Sequence, residues 1–333
     1  MRYVLEGSVR KAGQRVRITG QLIDATTGNH IWADRFDGAL DDIFELQDRV
    51  AASVVGAIAP RLRLSEIERA VRKPTASLDA YDLYLRALAQ VYRYTEEGLA
   101  EAVALLLQAL SIDPSYAPAA ALAGWCRAIQ RTQGWGALSA DDVAEGARLA
   151  RQALEAGRAD PDTIWQAATT LFIFAGEAAM AATVLDRALT LNPNAAGAWI
   201  VRGMIHALRN EPEAAIEACD HAQRLSPFDP LGYWNAVYRA IAHFAARRFE
   251  QAIEWADRAL HDQPRVISAI RVKVAAFAHL GRLGEASAEL ARLLAIDPKL
   301  TIAGYRAFLG PCAAPEFLEL AITGLRLAGL PEE

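Results

Sequence analysis

Residues 193–227 read PNAAGAWIVRGMIHALRNEPEAAIEACDHAQRLSP, and this stretch decides the fold of the chain. Its small residues, among them Gly203 and Ala215, allow two helices to cross closely, while the large Trp199 fills the space beside the crossing. Proline cannot continue the hydrogen-bond ladder of a helix, so Pro227 marks the end of the second helix. The stretch therefore predicts one pair of antiparallel helices followed by a break.

After residue 78, further prolines recur along the chain and mark the ends of other helices. The intervals between them, by subtraction of their positions, are 47, 32, 34, 37 and 34 residues. A period of roughly 34 residues is typical of the tetratricopeptide repeat, which has two antiparallel helices in each unit. We therefore predict about six helical hairpins over residues 79–309, and a capping helix with a short tail over residues 310–333. The prolines are Pro114, Pro161, Pro193, Pro227, Pro264 and Pro298.

The amino-terminal segment differs because its hydrophobic pattern has a period of two. Val16, Ile18 and Leu22 alternate with polar residues, as in a strand with one buried and one hydrated face. Turn residues bracket this strand, and the flanking segments Tyr3–Arg10 and His30–Phe36 have the same character. A meander of three strands is expected.

From Asp41 the apolar residues recur with a helical period to Ile58, and Pro60 should end or kink this helix. A second helical stretch is predicted to about Arg72, before a short linker at residues 73–75. The amino-terminal unit is thus predicted to be a βββα segment over residues 1–74. Together with the hairpins it gives a mainly α protein, in which a small α+β domain precedes an α–α superhelical solenoid.

Composition argues against several classes of function. The formal net charge is −5 and no basic block is present, so nucleic-acid binding, which needs clustered Lys and Arg, is not expected. No apolar run approaches the roughly 20 residues that cross a bilayer, and the first residues do not have the pattern of a signal peptide. The three cysteines are far apart, without a C-x-x-C pair. We expect a cytoplasmic protein with reduced thiols and no membrane span.

Catalytic motifs are absent from the sequence: it has no phosphate loop, no G-x-G-x-x-G, no G-x-S-x-G and no H-E-x-x-H. His206 and His221 fall on the two helices of one hairpin and could approach each other, but no third metal ligand accompanies them. The carboxylates between Asp34 and Asp48 lack the spacing of a calcium loop, and a hydrated turn followed by a helix start explains them. We expect no catalytic residue, no metal and no cofactor.

Several segments are similar to a known family. They read YVLEGSVR at 3–10, RVRITGQLIDATTGNHIWADRFD at 15–37, LDDIFELQD at 40–48, SIDPSYAPAAALAG at 111–124 and GLRLAGLPEE at 324–333. They resemble bacterial signalling proteins in which a TolB-like domain precedes tetratricopeptide repeats. In that family the TolB-like domain commonly follows a class III adenylate/guanylate cyclase domain or a winged-helix DNA-binding domain. The resemblance implies that residues 1–74 are part of a TolB-like domain.

The sequence departs from that family at its amino-terminal end. The family's TolB-like domain has a further helix and strand before the segment that begins at Tyr3, and no cyclase or winged-helix module is present here. We expect a fragment, a start assigned too late, or a protein that has lost its output domain. An open sheet edge favours pairing with another strand. The βββα segment is therefore expected to be poorly stable alone or to pair with a missing segment.

The predicted solenoid has a concave groove lined by the first helix of each hairpin. Such grooves bind extended peptides or a helix of a partner protein. The register of the repeats predicts that five side chains point into the groove. Because it is less charged than a site for a terminal carboxylate, we expect an apolar or mixed partner surface. The five residues are Gln166, Thr170, Met204, Trp234 and Arg271.

Two functional hypotheses follow from these patterns. The first is a non-catalytic protein–protein interaction scaffold, the regulatory or sensory part of a bacterial signalling protein, whose groove holds a protein or peptide such as a cyclase or another output domain. The alternative is a truncated adenylate/guanylate cyclase that lacks its catalytic domain, or a transcriptional regulator that lacks its DNA-binding domain. A cyclase label would then be inherited from longer relatives.

Overall fold

The computed structural model describes residues 3–25, 28–39, 63, 66–67, 79–136, 138–227 and 229–333. Within these residues it contains three strands and fourteen helices with described bounds, and helices predominate. The prediction of a mainly α solenoid with a small amino-terminal sheet is confirmed.

The three strands form one antiparallel sheet in the order β1-β2-β3, which is the predicted meander. Leu22 of β2 lies directly opposite Trp32 of β3, and both side chains are buried. The sheet thus has a small hydrophobic core of its own. The strands are β1 (Tyr3–Ala12), β2 (Arg15–Asp24) and β3 (His30–Ala39).

The helical region predicted between Asp41 and Arg72 lies almost entirely outside the described residues, as do the linker and the carboxylates at positions 41, 42, 45 and 48. Arg63, Glu66 and Ile67 are helical, and Ile67 is buried in the core of the hairpins. The assignment of the sheet to a TolB-like domain stays an expectation.

The fourteen helices pair in chain order as antiparallel hairpins, so that α1 packs on α2, α3 on α4, and so on to α13 and α14. The helices are α1 (Ala80–Arg93), α2 (Glu96–Ile112), α3 (Ala117–Thr132), α4 (Ala140–Ala156), α5 (Pro161–Ala175), α6 (Ala178–Leu191), α7 (Ala196–Leu208), α8 (Pro212–Leu225), α9 (Tyr233–Ala245), α10 (Phe249–Asp262), α11 (Ile267–His279), α12 (Leu283–Ile296), α13 (Ile302–Leu309) and α14 (Pro315–Leu327).

Local chemistry sets where the helices begin. Before α4, the Ser139 hydroxyl accepts from the backbone N–H of Asp142, whose carboxylate accepts from the Ser139 N–H in return. Before α5, the Asp160 carboxylate accepts from the backbone N–H groups of Asp162 and Thr163, each at 3.2 Å. Pro161 then occupies the first helical position, where its missing N–H costs nothing.

Small residues bring the two helices of a hairpin together, as the quoted stretch predicts. A Cβ added at Gly203 in α7 would lie 2.7 Å from the Sγ of Cys219 in α8, closer than real Cβ contacts. Ala215 and Ala222 of α8 are also buried. Trp199 is half-buried, and its ring centre lies 4.3 Å from that of His221. Close packing of the hairpin therefore depends on glycine at position 203.

The solenoid is so strongly curved that hairpins far apart in the sequence contact each other. Tyr94, in the turn between α1 and α2, packs its ring 5.1 Å from that of Tyr233 at the start of α9. The backbone N–H of Ile267, at the start of α11, donates to the side-chain oxygen of Gln133 after α3, at 2.8 Å. These contacts narrow the concave groove of the solenoid, so that it becomes an interior space.

The carboxy-terminal hairpin α13–α14 enters this interior. Its last helix packs on α11, where a Cβ at Gly324 would lie 2.7 Å from the Cβ of Ala275. The backbone N–H of Ala314 donates to the carbonyl oxygen of Leu208 at the end of α7, at 2.8 Å. The segment predicted as a cap for the last hairpin therefore also reaches back to the fourth hairpin.

Candidate functional site: the concave face of the hairpins

The inner wall of the solenoid is formed by α3, α5, α7, α9 and α11, since each of these first helices packs on the next. Two openings remain beside this wall. The first, which we call the inner cavity, has a volume of about 80 Å³ and lies between the wall and the α13–α14 hairpin. The second, the rim recess, has about 270 Å³ and lies at the amino-terminal ends of α5, α7 and α9.

The inner cavity is lined mainly by apolar side chains. Phe172, Met204 and Phe244 contribute from the wall, while Phe308 of α13 and Cys312 of the following turn close the other side. All of these except the half-buried Phe308 are buried. The chain's own carboxy-terminal hairpin thus fills most of the groove that the repeats would otherwise leave open.

Arg271 is the charged residue in the lining of the inner cavity. It is 7% exposed, and its guanidinium carbon lies 5.6 Å from the ring centre of Tyr305 and 5.8 Å from that of Phe308. Burial lowers the pKa of this guanidinium below its ordinary value. In the part of the chain that the structure describes, no carboxylate forms an ion pair with Arg271, and its Nε has no hydrogen-bond acceptor.

The rim recess has an apolar floor and a polar edge. Val201, Trp234 and Tyr238 belong to the floor, together with Trp165, whose indole N–H donates to the Asp162 carboxylate at 3.0 Å. The side chain of Trp165 has room because residue 197 is glycine: a Cβ there would lie 2.6 Å from its Nε1. The edge contains Arg63, Asp160, Asp162, Asn192, Asn194 and Asp229.

Carboxylates outnumber cations at the edge of the recess. Arg63 forms an ion pair with Asp162, and its charge also acts on Asp229. One cation thus faces three carboxylates among the described side chains of the edge. Burial raises the pKa of Asp229, whose Oδ1 accepts from the backbone N–H of Leu231 at 2.8 Å. The edge is therefore polar with an acidic bias.

The five residues predicted to face the groove are all buried, but they occupy different places. Trp234 lines both openings, while Met204 and Arg271 line the inner cavity. Thr170 packs between helices, where a Cβ at Gly124 of α3 would lie 3.2 Å from its methyl group. Gln166 lines neither opening, and its backbone carbonyl oxygen accepts from the Thr170 hydroxyl at 2.9 Å. Their role in partner binding stays a prediction.

Sequence reasoning missed the contribution of α13–α14 to the site. Phe317 lines the inner cavity, although residues 310–333 were expected only to cap the end of the solenoid. Tyr305 and Phe308, which were counted with the hairpins over residues 79–309, line it as well. One signal was present: the apolar residues of α14 cover more than one face of the helix, which indicates burial on two sides.

The described thiols and histidines of the hairpins have neither the activation nor the grouping of a catalytic or metal-binding centre. Burial raises the pKa of the Cys312 thiol to about 11 and that of Cys219 to about 12, so neither is an activated nucleophile. His206 contacts Glu211 at 2.5 Å, whereas the ring of His221 packs at a tilt of 44° against that of Trp199, so the two histidines have separate partners. Among the described residues no group of three or more His, Cys, Asp or Glu could hold a metal ion.

Comparison with known proteins agrees with this architecture. Residues 170–230 match the family model of the tetratricopeptide repeat. A chain in the crystal structure of the APC/C hetero-tetramer Cut9–Hcn1 has a similar fold, with a TM-score of 0.53 at 15% identity, over 84% of this chain and 49% of that chain. No helix in the described ranges is long and apolar enough to cross a membrane.

One curated protein is similar to this chain in amino-acid sequence. The protein named "Putative adenylate cyclase 3" of Rhizobium meliloti (strain 1021) is 36% identical over 161 residues. The match covers 48% of this chain and 27% of that protein, so the chain spans little more than a quarter of its relative. The chain is thus a tetratricopeptide-like solenoid with partial similarity to a protein named as a cyclase.

Proposed function

We propose that this chain is a non-catalytic protein-interaction scaffold that binds a peptide segment of a partner at the rim recess. One observation supports this above the others: an apolar floor that includes Val201 and Trp234 lies at the base of an opening with a polar, acidic edge. Interfaces between proteins concentrate their energy in buried aromatic and aliphatic anchors surrounded by a polar rim. The recess has that arrangement.

The recess is a better candidate than the middle of the groove. The inner cavity holds about 80 Å³, because α13–α14 occupies the space beside the wall, whereas the recess holds about 270 Å³. A partner can therefore insert a side chain into the recess without displacing the carboxy-terminal hairpin. Of the five residues predicted for the groove, Trp234 is the one that would contact such a partner.

The chemistry of the recess selects the partner segment. The aromatic and aliphatic floor favours a large apolar side chain as the anchor. Asp160 and Asp229 at the edge favour Lys or Arg on either side of that anchor, since complementary charge guides association and orientation. We therefore expect a peptide with one aromatic or branched apolar residue flanked by basic residues.

Selection from a random 12-residue display library against the full chain tests this proposal. Peptide affinities would then be measured by fluorescence anisotropy for the wild type and for Ala196→Trp. Ala196 is half-buried in the recess lining at the first position of α7, so the indole would fill the opening. We expect this substitution to weaken binding by at least about tenfold, as for loss of one anchor contact.

A matched control is Ala179→Trp, which adds the same side chain to an exposed position in the first turn of α6. This variant should bind as the wild type does. Failure to select any binding peptide, or equal binding by Ala196→Trp and the wild type, would contradict the proposal.

The similarity to the cyclase-named protein motivates a finer proposal: the scaffold is the regulatory arm of a bacterial signalling protein, and its partner is an output domain such as a nucleotide cyclase. Similarity over 48% of this chain supports this choice over a winged-helix regulator. Purified residues 1–333 incubated with ATP or GTP and Mg²⁺ should produce no cyclic nucleotide. Production above a heat-denatured control would show that the chain is itself an enzyme.

A further inference from the structure

Arg271 differs from the other buried cations of this protein. Arg127 forms ion pairs with Asp142 and Glu145, Arg239 with Asp220, and Lys273 with Asp257 and Glu289. Each of these pairs joins neighbouring helices of the solenoid. Within the described residues, Arg271 is equally buried and forms no ion pair, although the negative charge of Asp297 favours its charged form. Of the four buried cations among the described residues, three thus have ion pairs and Arg271 has none.

An unpaired buried guanidinium is costly, because desolvation of a charge is offset only when the charge is paired and hydrogen-bonded. The aromatic rings of Tyr305 and Phe308 provide cation–π contacts, but such contacts leave the N–H donors unused. The Nε of Arg271 has no acceptor, as is also true of Arg127 and Arg239. Arg271 differs from them because no carboxylate pairs with its guanidinium, while a cavity lies beside it.

The inner cavity combines a further polar group with a mainly apolar wall. Ser268, one turn before Arg271 on α11, adds a half-buried hydroxyl on the same helix face. Most of the remaining wall is apolar, including Phe172, Met204 and Phe308. Charge is thus concentrated at one end of an otherwise apolar space.

We propose that the inner cavity binds a small organic carboxylate, with its charged group on Arg271 and its hydrocarbon part among the apolar side chains. Arginine suits this role because its planar guanidinium can hold a carboxylate by two parallel hydrogen bonds. An engineered cavity of about 150 Å³ accommodates benzene. Benzene has six non-hydrogen atoms, so a volume of about 80 Å³ limits the ligand to about three or four, as in acetate.

The test compares a carboxylate with its neutral isostere. The chain of residues 1–333 would be titrated with formate, acetate, propionate and butyrate, and with acetamide, at constant ionic strength. Binding would be followed by calorimetry and by the midpoint temperature of unfolding, which a ligand specific for the folded state raises. We expect saturable binding of acetate and none of acetamide. Equal binding of acetamide, or no saturable binding of any of the four acids, overturns the proposal.

Two variants locate the site. Arg271→Gln should weaken acetate binding by at least about tenfold, the expected loss for a charge-assisted hydrogen bond, while Arg265→Gln, at an exposed position, should not. Ser268→Leu fills the cavity without altering charge and should also abolish binding. If Arg271→Gln does not fold, Ser268→Leu decides. Retained binding in Ser268→Leu, or in a folded Arg271→Gln, would refute the inference.

Discussion

The thiol of Cys312 lies 3.1 Å from the carbonyl oxygen of Phe172, although 140 positions separate the two residues. Cys312 stands in the turn between α13 and α14, and Phe172 in the last part of α5. The contact joins the end of the chain to the third hairpin. The α13–α14 hairpin therefore packs in the interior of the groove and is part of the core of the solenoid.

Docking of this hairpin predicts low reactivity of the Cys312 thiol. Burial raises its pKa to about 11, so at pH 8 the thiol is protonated as well as shielded. We expect iodoacetamide to label native Cys312 at least about 100-fold more slowly than the urea-unfolded chain, which corresponds to an opening free energy of about 3 kcal/mol. Mass spectrometry of the labelled peptides measures both rates.

Cys219 serves as the internal control for this experiment. It is fully buried in α8, away from the carboxy-terminal hairpin, and burial raises its pKa to about 12. Slow labelling of both thiols is expected. Rapid labelling of Cys312 while Cys219 stays protected would mean that α13–α14 is detached from the groove in solution.

The contact between α5 and the turn after α13 can be tested with two glycines. Gly176 and Gly281 each connect the two helices of a hairpin, with φ of +65° and +73°. At both positions an alanine would be strained, because the left-handed backbone conformation costs a non-glycine residue about 1 kcal/mol. A Cβ at Gly176 would also lie 2.6 Å from the carbonyl oxygen of Pro311, whereas nothing lies within 4 Å at Gly281.

Gly176→Ala should consequently lose about 1–3 kcal/mol more stability than Gly281→Ala. Urea unfolding followed by circular dichroism gives both free energies. Equal losses in the two variants would show that Pro311 does not pack against α5, and the docked position of the carboxy-terminal hairpin would then be wrong.

Local physics explains how much of the fold the sequence predicts. Helices end beside the prolines because proline lacks an N–H and restricts the residue before it. Thus α6 ends at Leu191 and α8 at Leu225, each two residues before a proline. The position of α13–α14 depends instead on contacts such as Cys312 with Phe172. Contacts between residues so far apart leave no periodic pattern in the sequence.

The site is less predictable for the same reason. Repeat register gives the direction of a side chain relative to its own helix, and Trp234 accordingly lines both openings. It does not give the distance to the next helix. Gly124 lets α3 approach α5 closely, and Thr170 is enclosed between them. Arg271 faces the interior, but the lack of an acceptor for its Nε becomes evident only when the surrounding helices are in place.

The hydrogen bond between Gln133 and the start of α11 leads to a third prediction. Gln133 is fully buried, and its side-chain oxygen accepts from the backbone N–H of Ile267, one of the unpaired donors at the start of a helix. Gln133→Leu leaves that N–H buried without an acceptor. We expect a loss of about 1–3 kcal/mol in unfolding free energy. Gln152→Leu, which removes an amide that donates to the Pro114 carbonyl near the surface, should change stability by less than about 0.5 kcal/mol.

Equal effects of these two leucine substitutions would argue against contact between the second and sixth hairpins. Hydrogen exchange offers an independent measurement. The amide of Ile267 should exchange much faster in Gln133→Leu than in the wild type, because its acceptor is gone.

The last prediction concerns the pH dependence of the ion pairs made by Lys273. Its Nζ lies 2.8 Å from Asp257 and 2.5 Å from Glu289, so that α11 is joined to both α10 and α12. Burial alone would lower the pKa of Lys273, but hydrogen bonds to the two carboxylates raise it above the ordinary value. The folded state therefore favours the charged amine. Its contribution to stability is complete below the unfolded pKa of about 10.4 and is lost as pH rises through the folded pKa.

Lys273→Met should accordingly destabilise the chain by about 1–3 kcal/mol at pH 8, and by clearly less at a pH above the folded pKa of the lysine. The comparison of variant with wild type at each pH cancels the titration of tyrosines and other lysines. Lys299→Met, at an exposed position, should have almost no effect at either pH. Urea titrations at pH 8 and pH values above about 11 provide the four differences. A penalty for Lys273→Met that is the same at both pH values would mean that the aliphatic stem of Lys273, and not its charge, holds α11 between its neighbours.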